Sequence, residues 1–187
     1  MADWCSVHVE MAFSTKEDAE AYCRKLEKRA KPDRPVNIGA ERPLFDWQLY
    51  VDVKGNVNVS GETRWDFERD DFVGVIKDAG PGLVSAQCWY CEENSRSKGT
   101  YGWSKDGPEA ITDRYIPYED WPEFDDDDDS DEADARRYRL LDDALDRAET
   151  HTCTFAEVEE QRVAREAALD EAVRRMRTME VRNAEKD

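Results

Sequence analysis

The sequence has no long apolar run, and this scarcity excludes several classes of protein. No stretch of about 18 apolar residues occurs, so no membrane-spanning helix is predicted. The segment from Met1 to Val9 has neither the basic nor the apolar region of a secretion signal. Five cysteines, an odd number at irregular spacing, favour reduced thiols over a disulfide framework. We therefore expect a soluble, cytoplasmic protein that does not bind membranes.

Histidine is equally scarce, and its scarcity limits acid–base catalysis. Only His8 and His151 are present, so a nucleophile could pair only as Cys5 with His8 or Cys153 with His151. Neither pair lies on a recognisable nucleophile turn, and we expect no enzyme activity and no catalytic residues. The Cys88 and Cys91 pair lacks the second half of a zinc site, and the two are predicted to be structural thiols. No cofactor or bound metal is expected.

Negative charge is what the sequence has in excess, and most of it lies in one short segment. The formal net charge is −18, and residues 119–135 hold 11 acidic residues and no basic ones. The 118 residues before them and the 52 residues after them are much closer to balance. Such a field repels nucleic acid and anionic membranes, because each phosphate contact needs a cation. We expect no direct binding of nucleic acid and a basic protein as the partner.

Residues 1–118 carry the pattern of an α+β domain. Alternating apolar residues predict a strand near residues 5–13, a hairpin of residues 45–53 and 57–67 around Gly55, and strands at 83–92 and 100–104. Helical spacing predicts one helix after a capping box of Ser14 and Glu17, and another from about Asp70 to Gly80. The order β-α-β-β-α-β is typical of a ferredoxin-like antiparallel sheet with two helices on one face, although other α+β layouts of these elements remain open.

A change of composition after Tyr118 predicts three parts: an α+β domain at 1–118, an acidic linker at 119–134 and a helical hairpin at 135–187. Helices are predicted at 133–149 and 155–184, the second opened by a capping box of Thr154 and Glu157. Because Arg162 and Arg165 interrupt the apolar seam of the second helix, a helical hairpin is favoured over a coiled coil. The seam consists of Phe155, Val158, Leu169, Ala172, Met176 and Met179.

Several short motifs follow one another in the first 107 residues. They are Asp3-Trp4-Cys5 at the first strand, Thr63-Arg64-Trp65-Asp66 after the hairpin, and the aromatic segments Cys88-Trp89-Tyr90 and Gly99-Thr100-Tyr101-Gly102-Trp103. In this order they resemble the YubB-type proteins carried by bacterial plasmids and phages. The resemblance implies a ferredoxin-like fold and a habitat on mobile elements, and it implies no chemistry for named residues. The acidic and helical parts are departures from that family.

The acidic segment is the predicted working surface. Aromatic residues among acids are typical of a binding segment with desolvated contacts at its centre, whereas a solvated, disordered linker is the alternative. The segment lacks the glycine bend and terminal glutamate of an EF-hand, so only loose binding of divalent ions stays open. The predicted partner-binding residues are Glu119, Asp120, Trp121, Glu123, Phe124, Asp125, Asp126, Asp127, Asp128, Asp129, Asp131, Glu132 and Asp134.

These features predict a non-enzymatic inhibitor from a phage or plasmid that acts as a DNA mimic. Its carboxylates would pair with the lysines and arginines of a host defence protein that normally bind nucleic acid. CRISPR–Cas effectors are favoured over restriction enzymes as the target. The alternative is an intracellular structural or assembly adaptor that forms a homodimer through its C-terminal helices, with the acidic segment only keeping it in solution.

Overall fold

Seven strands and four helices make up the part of the chain that the computed structural model describes, which is residues 4–31, 34–64, 67–92, 97–124 and 130–184. The strands are β1 (Trp4–Phe13), β2 (Phe45–Val51), β3 (Val57–Arg64), β4 (Leu83–Glu92), β5 (Ser97–Ser104), β6 (Ala110–Tyr115) and β7 (Thr150–Thr154). The helices are α1 (Lys16–Arg29), α2 (Arg69–Ala79), α3 (Asp131–Arg147) and α4 (Phe155–Ala184). None of these helices is long and apolar enough to cross a bilayer.

One antiparallel sheet contains all seven strands, in the order β2-β3-β1-β4-β5-β6-β7. The central strand β1 shows the predicted alternation, because Cys5, Val7 and Val9 are buried while Ser6 and His8 lie on the opposite face. We call the buried side, which α1 and α2 cover, the helix face and the other side the open face. The predicted α+β class with an antiparallel sheet is confirmed.

The ends of the first two helices are close to their predicted places. The N-cap of α1 is Thr15, whose hydroxyl accepts a hydrogen bond from the Asp18 amide, so the predicted box of Ser14 and Glu17 is wrong by one residue. A capping box of Glu68 and Asp71 opens α2. The helix ends at Gly80, whose φ of 84° is accessible to glycine at little cost.

The predicted helical hairpin is wrong, because the connection between its helices is a strand. Residues of β7 pair with β6, so this part of the chain completes the sheet of the first part. The two helices lie on opposite faces of that sheet: α3 borders the open face, whereas α4 packs beside α2 on the helix face. The threonines of Thr150–Thr154 suit an extended chain, and sheet pairing satisfies backbone groups that a loop would leave to water.

The arginines that interrupt the apolar seam of α4 hold this helix on the body of the protein. Arg165 forms ion pairs with Glu68 and Asp70 at the start of α2. Val158, about two turns earlier, is buried in the main core. The carboxylates at the N-terminus of α2 explain the charge at Arg165. Arg162 pairs with Glu159 and Glu166 of its own helix and lies 3.9 Å from Glu41 in the loop before β2.

A buried carboxylate joins the start of α2 to the loop before β2. Asp71 is almost fully buried, and it accepts hydrogen bonds from the amides of Glu41 and Glu68 and from the Arg42 guanidinium. Burial raises the pKa of Asp71 from 3.8 to about 6, because desolvation of the charged form outweighs the attraction of Arg42. The folded chain therefore binds this proton more tightly than the unfolded chain does.

The raised pKa of Asp71 makes the stability of the fold depend on pH. Its contribution is fully present below about pH 4 and is lost as the pH rises through about 6. We expect the unfolding free energy of the wild type, relative to that of Asp71→Asn, to fall by about 1 to 3 kcal/mol between pH 4 and pH 7. Urea denaturation of both proteins at several pH values measures this difference, and a difference independent of pH would contradict it.

Candidate functional site

A small apolar cluster fixes α3 to the sheet. It includes Trp121, which lies near the start of residues 119–134, the acidic segment. Trp121 is only 7% exposed and packs with Ile116, which follows β6, and with Leu141 and Leu145 of α3. Fully burying a side chain of this size stabilises the contact by several kcal/mol. The cluster lies apart from the main core. It attaches to the folded body the residues that come just before and just after the five consecutive aspartates 125–129.

Most of the predicted partner-binding residues that the structure describes are exposed. Asp125, Asp126, Asp127, Asp128 and Asp129 lie outside the described residues, and so does the side chain of Asp131. Glu119 and Asp120 lie in a short 3-10 helix, and Ser130 forms the N-cap of α3 by accepting a hydrogen bond from the Ala133 amide. Among the described side chains of the segment, the exposed carboxylates are Glu119, Asp120, Glu123, Glu132 and Asp134.

The aromatic residues of the segment face the protein's own interior. Trp121, which the sequence predicts as a partner-binding residue, is covered by the apolar side of α3. Phe124 is partly buried against the same cluster, and the guanidinium of Arg137 lies 5.3 Å from its ring centroid. Arg137 also forms an ion pair with Asp134 at 3.6 Å. These contacts place both aromatics in the docking of α3.

Two cations of the sheet pair with carboxylates of α3. The ammonium group of Lys98 on β5 lies 2.7 Å from Asp142, and Arg114 on β6 lies 3.8 Å from Asp146. The Lys98 side chain is only 12% exposed, whereas Asp142 and Asp146 remain open to water. These ion pairs neutralise the two α3 carboxylates beside the sheet, and they leave Lys98 and Arg114 paired within the protein.

A groove of about 940 Å³ runs along the open face beside α3. Asp46 and Glu62 form one wall of it, at the β2 and β3 side, and Asp142 and Asp146 of α3 form the other. We call this feature the open-face groove. Its floor carries the small or aromatic side chains of Ser6, His8, Ser60, Trp89 and Thr100.

Trp89 is the large aromatic residue on that floor, and it is 39% exposed. Its ring lies 5.5 Å from that of His8 on the neighbouring strand. An exposed indole face attracts cations and planar groups. The groove can therefore hold a polar, cationic ligand by stacking and charge, without a covalent or acid–base step.

No family model, curated protein or solved structure matches this chain. The resemblance of the first 107 residues to YubB-type proteins thus stays a prediction. Of the motifs that carry it, Asp3, Trp65 and Asp66 lie outside the described residues. The two aromatic segments are neighbours in the sheet, where Cys88 pairs with Tyr101 and Trp89 pairs with Thr100.

The thiols sit in places that do not favour nucleophilic chemistry. Cys5 is buried on the helix face, whereas His8 lines the open-face groove on the other side of the sheet. Burial raises the pKa of Cys88 well above its ordinary value and also raises the pKa of Cys153. A raised pKa lowers the fraction of reactive thiolate at neutral pH. Among the described residues no group of three or more histidines, cysteines or carboxylates could hold a metal ion.

The open-face groove is the site that sequence reasoning missed. Its residues appear in the sequence as the polar half of each alternating strand, a pattern that also describes an ordinary solvent-facing side. Trp89, a large aromatic residue between the polar positions Gln87 and Cys91, was the one available signal. The second wall belongs to α3, which begins 16 residues after the end of β6. The sequence does not indicate that this helix lies on the open face of the sheet.

The docking of α3 by Trp121 can be tested by truncation of that side chain. We expect Trp121→Ala to destabilise the protein by about 3 kcal/mol, because the truncation leaves a cavity in the cluster under α3. Hydrogen exchange should become faster in α3 more than in α1, which does not contact this cluster. Trp121→Phe should keep most of the protection. Trp89→Ala, on the exposed face, should change stability by less than about 1 kcal/mol. Unchanged exchange in α3 after Trp121→Ala would contradict the docking.

Proposed function

We propose that this chain is a non-catalytic binding protein whose acidic segment engages a basic, nucleic-acid-binding protein and competes with nucleic acid for it. The observation that carries the proposal is the exposure of Glu119, Asp120, Glu123, Glu132 and Asp134 on a segment whose described ends are attached to the folded body. Carboxylates pair with the same lysines and arginines that bind phosphates.

Anchoring distinguishes this segment from a free acidic tail. Trp121 fixes the chain before the five consecutive aspartates, and the Ser130 cap starts α3 directly after them. Carboxylates carried between two attached points lose less conformational freedom on binding than those of a free tail, so more of their interaction energy appears as affinity. Concentrated charge also accelerates association, and both effects weaken as salt rises.

The biological setting is a proposal that depends on the resemblance to YubB-type proteins. It places the chain on a phage or plasmid, in a bacterial host whose defence complexes bind nucleic acid, with CRISPR–Cas effectors as the favoured target. A ferredoxin-like unit formed by β1, α1, β2, β3, α2 and β4 is part of this proposal. It is supported by the order β2-β3-β1-β4, in which each βαβ connection has a strand between its two strands.

Replacement of Asp125, Asp126, Asp127, Asp128 and Asp129 by asparagine tests the acidic segment directly. In a host with an active CRISPR–Cas system, we expect this variant to lose the inhibition of interference. The substitution removes five carboxylates that would pair with lysines and arginines of the target. The matched control neutralises five exposed acids elsewhere, and it should keep inhibition. Its positions are Glu27, Asp106, Glu109, Glu160 and Asp170. Equal activity of the two variants would contradict a role for the segment.

A structural adaptor remains the second candidate, and the exposed part of α4 favours it. Val163 and Leu169 are large apolar side chains that are more than half exposed on this helix. A 30-residue helix is about 45 Å long, which takes it well past the contacts of Arg165 with α2. If the chain is an adaptor, the asparagine variant of the acidic segment should self-associate as the wild type does. If the chain is the proposed inhibitor, the same variant should lose binding to its target.

A further inference from the structure

We propose that the open-face groove binds an extended, arginine-containing segment of a protein partner. This inference rests on the proposed function, since it says where a basic partner is held on the chain in addition to the acidic segment. Its evidence comes from residues outside the acidic segment, all of which the structure describes. The open-face groove is an uncovered sheet surface, and its charge and its aromatic floor identify the kind of occupant.

The charge of the groove favours a cation. Four carboxylates line it against two cations, and both cations already pair with α3. Across the groove, the side-chain carboxylates of Asp46 and Glu62 form neither an ion pair nor a hydrogen bond with any residue in the described ranges. Asp46 and Glu62 therefore leave net negative charge for a ligand to neutralise, since the two carboxylates of the opposite wall are already paired with Lys98 and Arg114.

The backbone at Asp46 adds a second indication. Its φ is 45°, in the left-handed region that few residues other than glycine, asparagine and aspartate adopt. The register of β2 against β3 shifts at the same place, between Phe45 and Gln48. Irregularities of this kind redirect a side chain, and they concentrate at binding sites. Here the irregularity brings the Asp46 carboxylate to the rim of the groove.

The floor selects arginine and an extended chain. Trp89 presents an indole face, on which a planar guanidinium stacks better than a compact ammonium group does. Ser6, Ser60 and Thr100 beside it offer hydroxyl groups and little apolar area, so the surface does not suit the apolar side of a helix. A volume of about 940 Å³ accommodates several residues of a peptide.

A short peptide serves as the probe, because it needs no knowledge of the partner. We expect acetylated and amidated (Arg-Ser)3 to bind the full chain and to shift the Trp89 indole signal in NMR titrations, whereas the neutral citrulline analogue does not. Asp46→Asn with Glu62→Gln should weaken binding at least about threefold. Asparagine tolerates the positive φ, so this variant keeps the backbone. The control, Glu27→Gln with Asp106→Asn, removes the same charge outside the groove and should bind as the wild type does.

Trp89→Leu provides an independent variant that leaves every charge in place, and it should weaken binding about twofold to fivefold. Equal affinity of the groove variant and its control overturns the inference, and so does equal binding of the citrulline peptide or an absence of binding by the wild type. The assay contains no target protein and no nucleic acid. A failure of the proposed inhibition therefore leaves the peptide result unchanged, and a failure of the peptide leaves the inhibition result unchanged.

Discussion

Burial of Trp121 against Ile116, Leu141 and Leu145 is the contact on which the rest of the molecule's surface depends. It holds α3 beside the open face, which creates one wall of the groove and attaches both described ends of the acidic segment to the body. Without this cluster the 131–147 helix would have little reason to dock, since most of its side chains are charged. A single aromatic residue thus fixes the described flanks of the acidic segment to the folded body.

The charges follow from that docking. Lys98 and Arg114 face α3 and are paired with it, so cations that could neutralise a ligand site are used internally. Asp46 and Glu62 of the groove and the described, exposed carboxylates of the acidic segment lie outside these two ion pairs. Self-repulsion of so much negative charge costs stability in the free protein, and under the proposed function a basic partner would relieve part of that cost.

Much of the sheet could be predicted from the sequence, and the parts that could not have identifiable causes. Strict alternation and glycine turns were enough for β1 to β5 and for α1 and α2. The strand β6 is not predicted, because one of its buried positions is Asp113, a charged residue that pairs with Arg69 of α2. Trp121 is predicted as a partner-binding residue because its partners, Leu141 and Leu145, follow 20 or more residues later, and the direction that they face depends on tertiary packing. Pairing across the sheet is likewise absent from local patterns, so residues 150–154 are predicted only as the connection between two helices.

The central claim is that negative charge on this surface takes the place of nucleic acid on a basic protein. The most direct measurement is affinity capture by the full chain from bacteria that express CRISPR–Cas complexes, repeated with increasing amounts of DNA or of guide RNA. Displacement of the captured complex in proportion to added nucleic acid is the predicted result, because both ligands occupy the same cations. Capture that is equally strong in the presence of excess nucleic acid would contradict the claim.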